Sequence, residues 1–416
     1  MSLFRRSKNT KKPLFGQILS LIPKHILNFQ IQKHKSDKGC SKYKTYDQLV
    51  ALIFGQLNMC YSLSSISCGL SVNSIFLGDI DLNQSPSKTT MSDGNKNRNY
   101  EVFKGLYFSL LSYYKQILQK QHKTTIIDEI KNEVIKLIDS STISLCYALF
   151  DWAKFRTAKG GIKIHTCLDN STGLPDIVNI TEAKTHDSKG FEDNVFEKGT
   201  IIVEDRGYFD FSLMLKRVEA ENFFVTRIKE NTVYEIIEEL ELPENEDQDI
   251  LKDEIIQLTS PKAKEIGIFK HQLRLITVYK EDENKVIHII CNNLFWKART
   301  IADLYKKRWD IELFFKAMKQ NLQIKSFVGT SENAVKSQIF VALITYLLLE
   351  LIRRTNNQVN NAFSVLCDKI RICLLCYVTL EYVCKDLKPT AKKIQKPPNN
   401  DLFSKDNSIK QYKMTL

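Results

Sequence analysis

The sequence predicts a mixed α/β protein: a sheet flanked by helices, with a helical region in front and more helices behind. Three observations lead there. Apolar residues recur at three- and four-residue steps through 14–125. From 126 to 231, β-branched runs bounded by polar turns alternate with short amphipathic stretches. A strand-rich, acidic segment at 232–295 then interrupts that rhythm before helical periodicity returns.

In the helical front, "YDQLVALIFGQLNM" (46–59) and "YEVFKGLYFSLLSYYKQILQ" (100–119) carry the periodicity. "YSLSSISCGLSVNSIFLG" adds a short helix, and 81–99 is a polar, turn-rich link. Both a helix-turn-helix DNA reader and a helical bundle with a basic surface answer to that pattern. In the next part, "EVIKLIDSSTISLCYAL" (133–149) reads as a strand, ended by Asp139 where its polar residues begin. "GIKIHTCLDNSTGLPDIVNITEAK" (161–184) reads as two strands around a turn at Asn170–Pro175. A helix entry capped by Thr185 or Asp187 follows, then a short buried strand ending at Asp205, an amphipathic helix in "FSLMLKRVEAEN" and a strand in "FFVTRI". The stretch "YKKRWDIELFFKAMKQNL" (305–322) has no Gly or Pro and reads as one helix. The expected division is 1–125 helical and basic, 126–231 first part of a catalytic core, 232–295 β-rich insertion, 296–350 second part of the core, and 351–416 helices with a basic tail.

Charge narrows the class. The chain has 416 residues and a formal net charge of +12, with 43% hydrophobic and 10% aromatic residues, which excludes global disorder and favours a polyanionic partner. Residues 1–130 carry 18 Lys and Arg against 8 Asp and Glu, whereas 231–260 carry 10 acids against Lys252 alone. Phosphates therefore belong at the front, not at the insertion. The tail from Lys385 has 8 bases against 3 acids and is expected to be disordered. "MSLFRRSKNTKK" lacks the apolar stretch of a secretory signal, and "IFVALITYLLL" (339–349) is too short to span a bilayer. Ten scattered cysteines, with Cys373 and Cys376 on an apolar helical pattern, suit a soluble protein of a reducing compartment.

The chemistry is carried by acids. A carboxylate at the carboxyl end of a strand projects into the cleft beside the sheet, although an Asp there is also a common turn former. Glu312 is the third. At about 100° per residue, Tyr305, Arg308, Glu312 and Lys319 fall within about 60° of one another. A plain Arg308–Glu312 pair would add only about 0.2–0.5 kcal/mol and would not require the other two. Three carboxylates sharing a cleft repel unless divalent cations neutralise them, and hard oxygen donors suit Mg²⁺ or Mn²⁺. Two such ions about 3.5–4 Å apart activate water or a 3′-hydroxyl and stabilise the leaving oxygen of a phosphodiester.

The spacing Tyr, two residues, Arg, three residues, Glu, six residues, Lys resembles the signature of the family-four insertion-sequence transposases of bacteria. "TIADLYKKRWDIELFFKAMKQNLQIKSFVGTSENAVKSQI" resembles that family along its length, "LIDSST" its first catalytic aspartate segment and "EDRGYFD" its second. The resemblance covers roughly 130–345. It implies an RNase H-like core with a β-rich insertion, catalytic and metal-binding roles for Asp139, Asp205 and Glu312, and two Mg²⁺ ions replaceable by Mn²⁺. It implies DNA contacts from Tyr305, Arg308 and Lys319, and double-stranded DNA, both element ends and target, as partner. A homodimer or larger synaptic assembly, no membrane and a bacterial cytoplasmic, nucleoid-associated setting follow as well. Family members free 3′-hydroxyls at terminal inverted repeats and join them to target DNA; some form hairpins and stack a flipped base on an aromatic ring.

Two weaker DNA-binding candidates are Trp296, for base stacking, and Arg206, beside Asp205. His165 alternates inward and suits a hydrogen-bonded core histidine. His186–Asp187 resembles a recurrent family element, with helix capping as the plainer account of Asp187. Lys159 and Lys163 read as solvated. Two other classes stay open: a transposon-derived DNA-binding protein without activity, and an RNase H-like nuclease without strand transfer. The presence of all three acids speaks against the first, and the Tyr–Arg–Lys helix and insertion against the second.

Overall fold

A computed structural model describes residues 10–122, 127–146, 150, 152–156, 159–242, 249–281, 284–356 and 361–385. The tail beyond Lys385, the last residues of the 133–149 run at 147–149 and the Lys159 side chain lie outside the described residues.

The front is helical: α1 (Leu14–Leu19), α2 (Lys24–His34), α3 (Thr45–Leu57), α4 (Leu63–Val72), α5 (Lys88–Asn97) and α6 (Glu101–Gln121). Then come β1 (Ile135–Leu145), β2 (Lys154–Arg156), β3 (Lys159–Asp169), β4 (Leu174–Glu182), β5 (Ile201–Glu204), α7 (Phe211–Glu219) and β6 (Phe223–Arg227). The acidic segment forms β7 (Tyr234–Glu239), β8 (Ile250–Leu258), α8 (Pro261–Ile266), β9 (Gln272–Lys280) and β10 (Lys285–Cys291). The chain closes with α9 (Ala298–Lys307), α10 (Trp309–Asn321), α11 (Glu332–Thr355), α12 (Phe363–Cys373) and α13 (Leu380–Cys384).

Among the described residues the strands form one ten-stranded sheet ordered β2-β3-β1-β5-β6-β10-β9-β8-β7, with β4 also on β3. β1, β3 and β4 form an antiparallel meander; β5 and β6 run parallel to β1. Three antiparallel strands followed by two parallel ones, the last two linked through α7, make the core RNase H-like, as the resemblance implied. The β3–β4 turn depends on Gly173, whose φ of +63° suits glycine and whose added Cβ would lie 2.6 Å from the His122 ring.

Sequence periodicity did not show that the acidic segment joins the same sheet. β10 pairs antiparallel with β6 at Cys291↔Val225, and β9, β8 and β7 follow outward. A separate cluster of Met214, Phe224, Leu258, Leu273, Leu275 and Ile290 seals α7 and α8 against these strands. The exposed outer strand β7 carries Glu235, Glu238 and Glu239.

Helix α11 is the hub: α3, α5, α6 and α12 pack on it. It is long and apolar enough to cross a bilayer, but 94% of its apolar window is buried against protein, and residues such as Leu347, Leu348 and Leu349 are wholly enclosed. Each such leucine contributes about 1.5–3 kcal/mol of burial. The polar turn at its carboxyl end is satisfied internally. Glu350 accepts from Arg353 and Arg354, and Arg354 reaches Leu118 O at 3.0 Å and Thr172 O at 2.6 Å. Those last bonds tie the helical front to the β3–β4 turn.

Candidate active site

Three expectations about local structure change. Asp139 does not end its strand. It is the fifth of the eleven residues of β1 and pairs with Thr166 of β3. It lies where the parallel pairing with β5 stops: Ile138 faces Glu204, so the next pair outward is Asp139 and Asp205. Neighbouring strands lie about 4.8 Å apart, and side chains alternate faces. The two aspartates therefore share one face of the sheet, with Leu137 and Val203. Glu204 points to the other face and is bound to the buried Arg217. Beneath the pair, Ile138, Cys167, Phe191, Ile202 and Tyr208 form a small closed core.

The second change concerns 305–322, which is two helices rather than one. α9 ends at Lys307 and α10 starts at Trp309. At the junction Arg308 N bonds Tyr305 O at 3.1 Å and Ile311 N bonds Arg308 O at 3.3 Å, three-residue bonds that tighten the turn without a Gly or Pro. Arg308 Nη1 donates to Glu312 Oε1 at 2.5 Å, and its guanidinium lies 5.6 Å from the centre of the Tyr305 ring. Arg308 Nε is buried and has no hydrogen-bond partner among the described residues. α10 packs on β1, and Lys319 Nζ reaches Thr142 O at 3.4 Å.

These groups share one electrostatic neighbourhood. Burial pushes the Asp139 carboxyl up, the Ser140 N–H opposes this, and the charges of Asp205 and Glu312 raise it further against Arg308, to about 7. Burial lowers Lys319, with Lys325 adding to this and Asp139 opposing it. A carboxyl raised first by burial and then by two neighbouring acids is short of positive charge. In this conformation Glu312 is turned to Arg308, and among the described residues no three His, Cys, Asp or Glu side chains close into a ligand shell. Hard carboxylate oxygens with excess negative charge suit Mg²⁺ or Mn²⁺, so the residues fit such an ion in kind and in neighbourhood.

The third change is Asp187. The cap of its short helix is His186, whose side chain accepts from Ser188 N. The Asp187 carboxylate accepts from Ser140 Oγ at 2.6 Å and faces Lys163 Nζ at 3.0 Å. Lys163, expected to be solvated, also donates to Thr185 O at 2.8 Å. A Cβ on Gly207 would lie 3.2 Å from Asp187 Oδ2. Asp187 thus buttresses both the residue after Asp139 and the turn after Asp205. The signal in the sequence was the His–Asp pair after a strand, which capping explained too readily. His165 is wholly buried, with Nε2 3.0 Å from Thr181 Oγ1. Trp296 is 8% exposed and its ring centre lies 5.0 Å from that of Phe223, so here it is part of the core. Arg206 is exposed and paired with Glu230 at 3.2 Å.

The pattern of the family described as "Transposase DDE domain" matches residues 131–348, just over half the chain and the whole span from β1 through most of α11. This chain belongs to the DDE transposase family. A domain of unknown function matches residues 10–77 of the transposase. A putative transposase of Sinorhizobium fredii is 31% identical over 274 residues, 65% of this chain and 73% of that one. A probable transposase for insertion sequence element IS5377 of Geobacillus stearothermophilus is 29% identical over 231 residues, 55% and 60%. A putative transposase for insertion sequence element IS4SA of a Synechocystis strain is 27% identical over 270 residues, 64% and 71%. These relatives accord with the family-four signature, and DNA is the substrate of the enzyme. A solved piggyBac transposase synaptic complex with hairpin DNA shares 10% identity at a TM-score of 0.43 over 93% of this chain and 84% of that one, a likeness too low to carry an argument.

Proposed function

We propose that Asp139, Asp205 and Glu312 are the catalytic acids of the transposase. In this reading they hold two Mg²⁺ ions, with Mn²⁺ able to substitute. Bound there, the ions would polarise water or a 3′-hydroxyl and neutralise the leaving oxygen of the phosphodiester. The chain's own residues do the rest. Asp139 and Asp205 present their carboxylates from adjacent strands. Arg308 holds Glu312 through Nη1 and keeps a guanidinium charge beside the acids, where it would attract a phosphate. Lys319 lies on the same helix two turns further on and places a second positive charge along the strand's path. Tyr305, packed under Arg308, fixes the guanidinium plane.

The substrates are the terminal inverted repeats of a bacterial insertion sequence. Their ends are hydrolysed to free 3′-hydroxyls, which are then joined to target DNA, at the nucleoid and by a homodimer or larger assembly on paired ends. The observation that carries the reading is the β1–β5 register, which sets Asp139 beside Asp205, with Glu312 raising the Asp139 carboxyl from the helix opposite. The test is linear DNA bearing the element's own repeats, incubated with Mg²⁺. Asp205→Ala should bind the ends and fail to nick them; undiminished nicking would overturn the assignment. Joining of cut ends to a second DNA separates a transposase from a plain nuclease.

A further inference from the structure

The loop between α2 and α3 has an unusual build. Lys35, Lys38, Lys42 and Lys44 are exposed, as is Lys33 at the end of α2, and among the described residues none of the five has an ion-pair partner. The one acid within the loop is turned inward: Asp37 Oδ1 accepts from Thr45 N and Thr45 Oγ1, both at 2.6 Å, and lies 3.9 Å from Arg98 Nη2. A lysine run in a loop is usually a mobile, solvated face. This one is pinned from beneath. The Arg98 side chain, 3% exposed, donates to Ser36 O at 3.1 Å, Tyr43 O at 2.6 Å, Gln48 Oε1 at 2.5 Å and Cys40 Sγ at 3.4 Å, and lies 5.6 Å from the centre of the Tyr43 ring. One buried guanidinium therefore fixes the main chain at both ends of the lysine run, which lowers the entropy cost of lining the ammonium groups along a partner.

The ledge is also tied to the catalytic helix. Asn333, in the first turn of α11, donates to Arg98 O at 2.6 Å and Asn95 O at 2.8 Å and accepts from Tyr100 N at 2.9 Å. Further along α11, Gln338 holds the segment that follows α10, through Gln323 O at 2.6 Å, Ser326 O at 2.9 Å and Val328 N at 2.9 Å. Gln56 of α3 accepts from Gln323 N at 2.7 Å. A short, hydrogen-bonded path thus runs from the ledge to the residues just after Lys319.

We propose that residues 33–44 form a rigid phosphate-gripping ledge, which holds duplex DNA by its backbone at a fixed offset from the acids. The inference rests on the reading that the transposase binds DNA ends, and it names the part of the helical region that does so. Its recognition chemistry is the phosphate ladder, so it carries no sequence preference of its own.

The test is the salt dependence of binding by the full-length protein, measured on a repeat-bearing duplex and on a duplex of unrelated sequence. Each lost phosphate contact lowers the slope of log affinity against log salt by about 0.9. Replacing Lys35, Lys38, Lys42 and Lys44 together by Ala should lower it by about 2–4 and weaken binding at least about tenfold, equally on both duplexes. Replacing the same four by Arg should restore the slope. Replacing Lys262, Lys264 and Lys270, exposed around α8 beside the acidic strands, should leave it unchanged. If wild-type protein binds the duplex and the four-Ala variant keeps its slope, the ledge is overturned while DNA binding stands. An equal drop in the Lys262, Lys264 and Lys270 variant overturns it too, by tracing the effect to net charge. Wild-type protein that binds neither duplex would instead sink the functional reading beneath it.

Discussion

Strand β1 carries two carboxylate sites three residues apart, and they are built in opposite ways. At one, Lys136 lies opposite Asp169 on β3 and donates to Asp169 at 2.9 Å and to Asp176. Burial pushes the Asp169 carboxyl up, but the charge and hydrogen bond of Lys136, with the donors of Ser171, outweigh it and leave the group below its ordinary range. At the other, burial acts on Asp139 in the same direction, and the nearest charges include two more acids, so the carboxyl ends near 7. The first site contains its own cation; the second is short of one. Burial raises the carboxyls at both sites, and Asp176 stays raised even beside Lys136; what separates Asp169 from Asp139 is a lysine against one and two further acids against the other.

Asp139→Asn breaks this comparison at its strongest point. Losing several kcal/mol of transition-state stabilisation should cut the nicking rate by about a thousandfold or more, with the fold retained by circular dichroism. Lys136→Met should do the reverse. It strands Asp169 and Asp176 as unpaired, largely buried carboxylates, costing about 3 kcal/mol in denaturant unfolding, while nicking per folded molecule stays at the wild-type rate. Asp187→Ala lies between the two. It frees Ser140, Lys163 and the 205–208 turn, and single-turnover cleavage should slow about 10–100-fold with little change in DNA affinity.

Stability should also follow pH. Because the folded Asp139 carboxyl titrates above its ordinary value of 3.8, its stabilising contribution is complete below about pH 4 and is lost as pH rises through about 7. With EDTA present, the transposase should lose thermal stability across that window; Asp139→Asn should flatten this slope, and Mn²⁺ should move it to lower pH. The smallest effect belongs to Arg206→Ala. Its partner Glu230 is 91% exposed, so unfolding should change by less than about 1 kcal/mol. A nicking loss beyond a few-fold would instead show that Arg206 touches DNA.

Much was legible because local chemistry wrote it. The Tyr–Arg–Glu–Lys spacing is local, and across the break at Arg308 it still brings Arg308 to Glu312 and to the Tyr305 ring. The β-branched runs marked β1, β3, β4, β5 and β6 because half-buried strands need alternating apolar residues. Long-range register was not legible. Nothing in "KVIHIIC" states that β10 pairs with β6 and carries the acidic strands onto the same sheet. Nothing in "LIDSST" shows that β1 runs on to Leu145, leaving Asp139 within the strand. Asp187 looked like a cap because capping is local, whereas its partners Ser140 and Lys163 are 47 and 24 positions away.

The sequence by itself determined most of the element types, the basic front against the acidic segment, and the candidate residues for phosphoryl chemistry. Each of these follows from side-chain character within one turn or strand. Tertiary structure alone decided which acids adjoin in strand register, which lysine is spent as a counter-ion, and that one buried arginine bonds both ends of a lysine loop. Those outcomes depend on charges and hydrogen bonds between segments far apart in the chain, whose encounter is set by strand pairing and by the packing of helices around α11.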